Sequence, residues 1–134
     1  MTITANGKEY ILDTSLQTLE RIQDRLSKPA AQIFTSINEM TTAKQISLLC
    51  IAAGKEGGQT LREDILSDSD NWGMFKITES LEELVAKMLF SGTTEEKERQ
   101  ISKAFGDDEQ QKNAVRAMLG LPQKPIGTNG GNDW

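Results

Sequence analysis

The sequence predicts a mainly α-helical single domain with an N-terminal two-stranded β-hairpin. Three observations carry this expectation. Asn6-Gly7 separates two short β-prone runs; apolar residues recur at helical spacing through most of the remaining chain; and several helix-capping patterns punctuate it. At 134 residues the chain has the length of one domain. Its composition is 37% hydrophobic but only 5% aromatic, so the core must be mainly aliphatic.

Asn-Gly readily takes the positive φ values of a two-residue type I′ turn, which closes a hairpin with Ala5 opposite Lys8, Ile3 opposite Tyr10 and Met1 opposite Leu12. Met1, Ile3, Tyr10 and Leu12 then share one face, and Ile11 points the other way. A lone hairpin is marginal in water, so that face needs a cover. The expected cover is the next helix, opening at Asp13 or Thr14, with Leu16, Leu19, Ile22 and Leu26 at helical spacing.

Lys28-Pro29 breaks this helix and starts another carrying Ala30, Ile33, Phe34 and Ile37 on one face. Thr42 with Gln45 has the spacing of a capping box for a third helix, whose stripe is Ala43, Ile46, Leu49, Cys50 and Ala53 and whose stop is Gly54. Residues 55–59, KEGGQ, read as a loop. Thr60 with Glu63 then opens a short helix bearing Leu61, Ile65 and Leu66.

After the turn-rich SDSDNWG comes the clearest helix, capped by Thr78, with Leu81, Leu84, Val85, Met88 and Leu89 opposite Glu82, Glu83 and Lys87. The width of its apolar face predicts a central core helix. Thr93 with Glu96 caps the next, with Ile101, Ala104 and Phe105 inward and Gly106 at its end. Asp107 or Asp108 caps the last, with Ala114, Val115, Met118 and Leu119 inward before Gly120. This body spans 1–121. From 122 to 134 the chain reads PQKPIGTNGGNDW, expected to be a flexible tail because it has too little apolar surface to offset ordering its backbone. Its final Trp134 is a candidate anchor for a partner.

Twenty acidic and fifteen basic residues give a net charge of -5, which disfavours a nucleic-acid ligand. With no histidine and only Cys50, the chain cannot pair a serine or cysteine nucleophile with a histidine base, nor build the common zinc sites. Cys50 lies in an apolar helical run and reads as a structural thiol. The single cysteine, the short apolar runs and an N-terminus without the pattern of a secretion signal point to the cytoplasm and away from a membrane. No enzymatic constellation and no cofactor are expected.

Three other motifs have both a functional and a simpler reading. DSDNWGMFKITE, residues 68–79, overlaps an EF-hand calcium loop, with Asp68, Asp70 and Glu79 as acidic ligands, Gly73 at the turn and Phe75 at the apolar position. Against it stand Trp72 and Lys76 at ligand positions, and an entering segment poor in apolar residues. The simpler reading is an Asx-rich turn with Trp72 and Phe75 packed on the core. The acidic pairs at Glu82-Glu83 and Glu95, Glu96 and Glu98 read as solvated helix faces, and AAGKEGGQT lacks the spacing of a phosphate loop.

Residues 3–26 carry I-x-x-N-G-K-x-Y-x-L followed by a helix rich in Leu and Glu. This opening resembles the tail assembly chaperones of long-tailed bacteriophages; residues 27–121 match them only as a run of helices. The resemblance implies binding without catalysis: association with the tape-measure protein and tail-tube subunits during tail assembly in the host cytoplasm, with self-association. Ile11 on the outer face of the hairpin and Trp134 are the expected contact residues. The alternative is a small acidic helical adaptor that senses calcium through the 68–79 loop.

Overall fold

The computed structural model of the protein describes residues 1–124. Strand β1 (Thr2–Ala5) and strand β2 (Lys8–Ile11) form the hairpin, with the expected register of Ile3 opposite Tyr10 and Ala5 opposite Lys8. Asn6 and Gly7 both have positive φ, 54° and 77°, as a type I′ turn demands. Six α-helices follow among the described residues: α1 (Leu16–Leu26), α2 (Ala30–Ser36), α3 (Thr42–Ser67), α4 (Met74–Leu89), α5 (Thr94–Phe105) and α6 (Glu109–Leu119), with one 3-10 turn at Ile37–Glu39.

Helix α4 is the centre of the domain and packs against α1, α2, α3 and α6. Leu81, Leu84 and Val85 are fully enclosed and Met88 nearly so, as the spacing predicts. Phe105 of α5 sits edge-on to Phe34 of α2, ring centroids 5.8 Å apart, and 6.0 Å from Phe90 at the end of α4. Both arms of the Thr93–Glu96 capping box are made, at 2.9 and 3.1 Å.

Several boundaries differ from the expected ones. Ser15 caps α1, because Asp13 is used one step earlier: its carboxylate accepts from the Ser15 N–H and hydroxyl and from the Thr18 hydroxyl. The Thr18 bond leads in holding the Asp13 carboxyl below its usual range. Thr41 rather than Thr42 caps α3, and Gly73 rather than Thr78 precedes α4. Gln45 and Thr78, freed from capping, meet each other between α3 and α4, where the half-buried Thr78 hydroxyl donates to the buried Gln45 side-chain oxygen.

The segment 55–59 is helical and α3 runs on through it to Ser67. Gly54 does interrupt the helix, with φ 88° and ψ -179°, a conformation open in practice only to glycine. Ala52, at the end of the first half, gives its carbonyl to the Asp13 N–H at 2.8 Å, where helical carbonyls lack intrahelical donors. Gly54→Ala is expected to destabilise the protein by about 1–3 kcal/mol in chemical denaturation, the usual cost of a side chain held in such a conformation. A loss under ~0.5 kcal/mol would show that the break survives with a side chain present.

On α6 the buried side chains include Lys112, Asn113 and Arg116 beside Val115, whereas Ala114, expected inward, is exposed, as is Ala104 on α5. Arg116 is 2% exposed; its Nε lies 3.1 Å from both Glu98 oxygens and its Nη1 donates to Asn113 Oδ1 at 2.8 Å. Glu98 is therefore an ion-pair partner and not part of a solvated face. Asn113 in turn bonds the Lys124 backbone on both sides, N–H at 2.9 Å and C=O at 2.6 Å. The chain after α6 is thus tied to the body as far as Lys124, three residues beyond the expected end of the body at Leu121. The remainder of that tail, with Trp134, lies outside the described residues.

Candidate partner-binding surface

The apolar face of the hairpin is covered by the long helix α3, which packs against both strands, and not primarily by α1 as expected. Leu16, expected under the hairpin, is 72% exposed at the start of α1. Ile3, Ala5, Tyr10 and Leu12 are all buried.

Polar contacts fasten the same face. The Tyr10 hydroxyl donates to the Asp64 carboxylate and lies 2.9 Å from the Thr60 hydroxyl. At the turn, the Asn6 N–H donates to Asp68 Oδ2 at 2.7 Å and the Asn6 side chain reaches Asp64 at 3.4 Å. From the other side of the α3–α4 corner, Trp72 Nε1 donates to the Thr4 carbonyl at 2.9 Å. The bond from Tyr10 is the leading cause that holds the Asp64 carboxyl below its usual range, and the bond from the Asn6 N–H does the same for Asp68. Both are therefore anionic acceptors at neutral pH, which strengthens the bonds they receive.

Asp68 is thus the anchor of the hairpin turn, with Asn71 as its second partner at 2.9 Å. Trp72 is buried at the position where a calcium loop needs an oxygen donor, and Glu79 sits within α4. Among the described residues no three carboxylates or thiols are grouped to hold a metal ion, so Asp68, Asp70 and Glu79 do not come together as one. Phe75, expected to pack inward with Trp72, is 88% exposed. Helical phase accounts for this: Phe75 precedes Ile77 by two residues, about 200° around the axis, and so falls off the stripe that continues through Leu81, Leu84 and Met88.

The outer face of the hairpin is open. Ile11 is 75% exposed there, beside Thr2, Thr4 and Glu9. Other large apolar side chains on the surface are Leu16 and, around the α3–α4 corner, Leu66, Met74 and Phe75. A concavity of about 430 Å³ runs beside β2, lined by Lys8–Ile11 on one wall and by Ala53, Glu56, Gly57 and Thr60 of α3 on the other. A second, of about 490 Å³, lies between α4 and α6 and includes Lys76, Glu79, Glu83, Ala114 and Met118.

Glu82, read as solvated, is half-buried, and burial with the Glu79 charge nearby pushes its carboxyl above the usual range. Burial likewise raises the Cys50 thiol, which keeps it protonated and a poor nucleophile. No helix among the described residues is long and apolar enough to cross a membrane. No protein-family model, curated protein or solved structure matches the chain.

Proposed function

We propose that this chain is a non-enzymatic assembly chaperone of a long-tailed bacteriophage, which binds the tape-measure protein and tail-tube subunits in the host cytoplasm while the tail is built. The observation that carries the reading is Ile11, a large aliphatic side chain 75% exposed on a hairpin whose opposite face is fastened to the body. In the motif I-x-x-N-G-K-x-Y-x-L, Ile3, Tyr10 and Leu12 go inward, Asn6-Gly7 makes the turn, and Lys8 lies 3.8 Å from Asp64. The open positions at 9 and 11 face outward. A fixed frame that presents exposed side chains at Glu9 and Ile11 suits a protein that shields apolar surfaces of an assembly partner and later yields to tube subunits.

Ile11→Lys should leave thermal unfolding nearly unchanged, since an exposed substitution away from special backbone features is worth within about 0.5 kcal/mol. It should reduce capture of a tape-measure fragment in a pull-down by roughly tenfold, the effect of losing about 1.4 kcal/mol of contact. The reading fails if the unaltered protein captures neither the tape-measure fragment nor the tube subunit. Equal capture by the Ile11→Lys protein would place the contact elsewhere on the helical body.

A further inference from the structure

The two edges of the hairpin differ. Met1 and Leu12 exchange backbone hydrogen bonds, Leu12 N–H to Met1 O at 2.7 Å and Met1 N to Leu12 O at 3.2 Å. In an antiparallel ladder such reciprocal pairs alternate with pairs whose N–H and C=O groups point away from the partner strand. With Thr2 opposite Ile11 and Thr4 opposite Glu9, the outward groups belong to Thr2 and Thr4 on β1 and to Glu9 and Ile11 on β2.

On the β1 edge Trp72 takes the Thr4 carbonyl, and the outward groups of Thr2 make no hydrogen bond among the described residues. At β2, the Glu9 and Ile11 backbones make no hydrogen bond beyond the hairpin among the described residues. The next outward N–H, that of Asp13, is taken by Ala52, which ends the open stretch. Beside it runs the 430 Å³ concavity, whose far wall on α3 includes Ala53 and Glu56, with the Tyr10 ring packed beside Gly57.

The charge around this groove is one-sided. Lys8 faces Asp64, while Glu9 and Glu56 have no ion-pair partner among the described residues.

We propose that β2 accepts an extended, basic segment of a partner protein as a third strand, held by the Glu9 and Ile11 backbones and laid along Ala53 and Glu56 of α3, with its lysine or arginine side chains meeting Glu9 and Glu56. Strand addition of this kind draws affinity from main-chain bonds and selectivity from alternate side chains. A single extended strand suits the groove better than a second copy of the chain, because a copy pairing through the same edge would bring its own α3 wall against the first. The inference rests on the hairpin being the partner-binding surface, but its test needs no phage protein.

The probe is the blocked peptide acetyl-Lys-Val-Thr-Val-Lys-amide, titrated into the full chain and followed by amide resonances. It should shift the Glu9 and Ile11 amides and slow their exchange with solvent, whereas peptides with both lysines replaced by glutamate, or with both valine amides methylated, should bind at least tenfold more weakly. A Glu9→Lys/Glu56→Lys protein, confirmed folded by its unchanged thermal transition, should reverse the preference between the lysine and glutamate peptides. Shifts confined to the surroundings of Phe75, equal binding of the methylated peptide, or an unaltered preference in the charge-reversed protein would each overturn the proposal. So would protection of the Glu9 and Ile11 amides that grows with protein concentration alone, which would assign the edge to a second copy. Peptide binding without capture of a tape-measure fragment would leave this inference standing and remove the chaperone reading.

Discussion

Leu84→Ala should lower the free energy of unfolding by about 2–5 kcal/mol, the range for a large-to-small change at a well-packed aliphatic site. Leu84 is 0% exposed on α4, and α4 is the helix that α1, α2, α3 and α6 all contact. Little can move to refill the space without disturbing several interfaces at once, so the cavity should persist and the loss should not fall at the bottom of that range. Chemical denaturation with an unchanged denaturant dependence is the measurement. A loss below about 1 kcal/mol would show that the core closes over the gap, and that α4 is less constrained than its position implies.

Gln45→Leu should cost about 2–4 kcal/mol despite adding an apolar side chain to an apolar site. The Gln45 amide is 1% exposed and joins three groups: its NH₂ donates to the Ile37 carbonyl at 3.1 Å and to the Met40 carbonyl at 3.2 Å, and its oxygen accepts from the Thr78 hydroxyl at 2.8 Å. Leucine fits the volume but strands those partners, and each buried group left unpaired costs about 1–3 kcal/mol, less where it can find water or turn aside. Combining Gln45→Leu with Thr78→Val should destabilise by less than the sum of the single changes, because the second removes a group the first has orphaned. Strict additivity in that cycle would mean that the Gln45–Thr78 bond contributes nothing measurable.

Gln45 also shows where sequence reading stops. Thr42 and Gln45 have capping-box spacing, and nothing local distinguishes a glutamine that turns back to its helix start from one that reaches across to α4. The cap fell to Thr41 by one residue, and the shift turned Gln45 inward. The hairpin was legible to the residue because Asn6-Gly7 permits one turn geometry and that geometry sets the register. The apolar stripe of α4 was legible because four of its residues agree in phase.

The helicity of 55–59 was not legible, since two adjacent glycines ordinarily mark a loop. Packing explains Gly58 above all: a Cβ there would lie 2.6 Å from the Cys50 carbonyl oxygen, while one on Gly57 would press on the Ala53 Cβ at 3.3 Å and meet the Tyr10 ring at an ordinary 3.7 Å. Close approach between the two halves of α3 demands the small residue at Gly58, and this contact overrides its weak helix propensity. Burial of Lys112, Asn113 and Arg116 was hidden for a related reason. Asn113 and Arg116 go inside with partners, the Lys124 backbone and Glu98, that lie 11 and 18 positions away, while Lys112 pairs with Glu109 one turn back, a spacing equally common on exposed helix faces.

The polar bonds that hold the hairpin join residues 50 to 68 positions apart, from Tyr10–Thr60 to Thr4–Trp72. At the ordinary pace of translation, about 5–20 residues per second, that separation amounts to several seconds during which both strands have left the ribosome and their cover has not. Closing so long a loop gains nothing until the final contacts form, so docking of the hairpin belongs to the late, non-local part of folding. The apolar inner face of Ile3, Tyr10 and Leu12 therefore stays open on the nascent chain until α3 has emerged to cover it, and Trp72 arrives last, at the Thr4 carbonyl of the β1 edge.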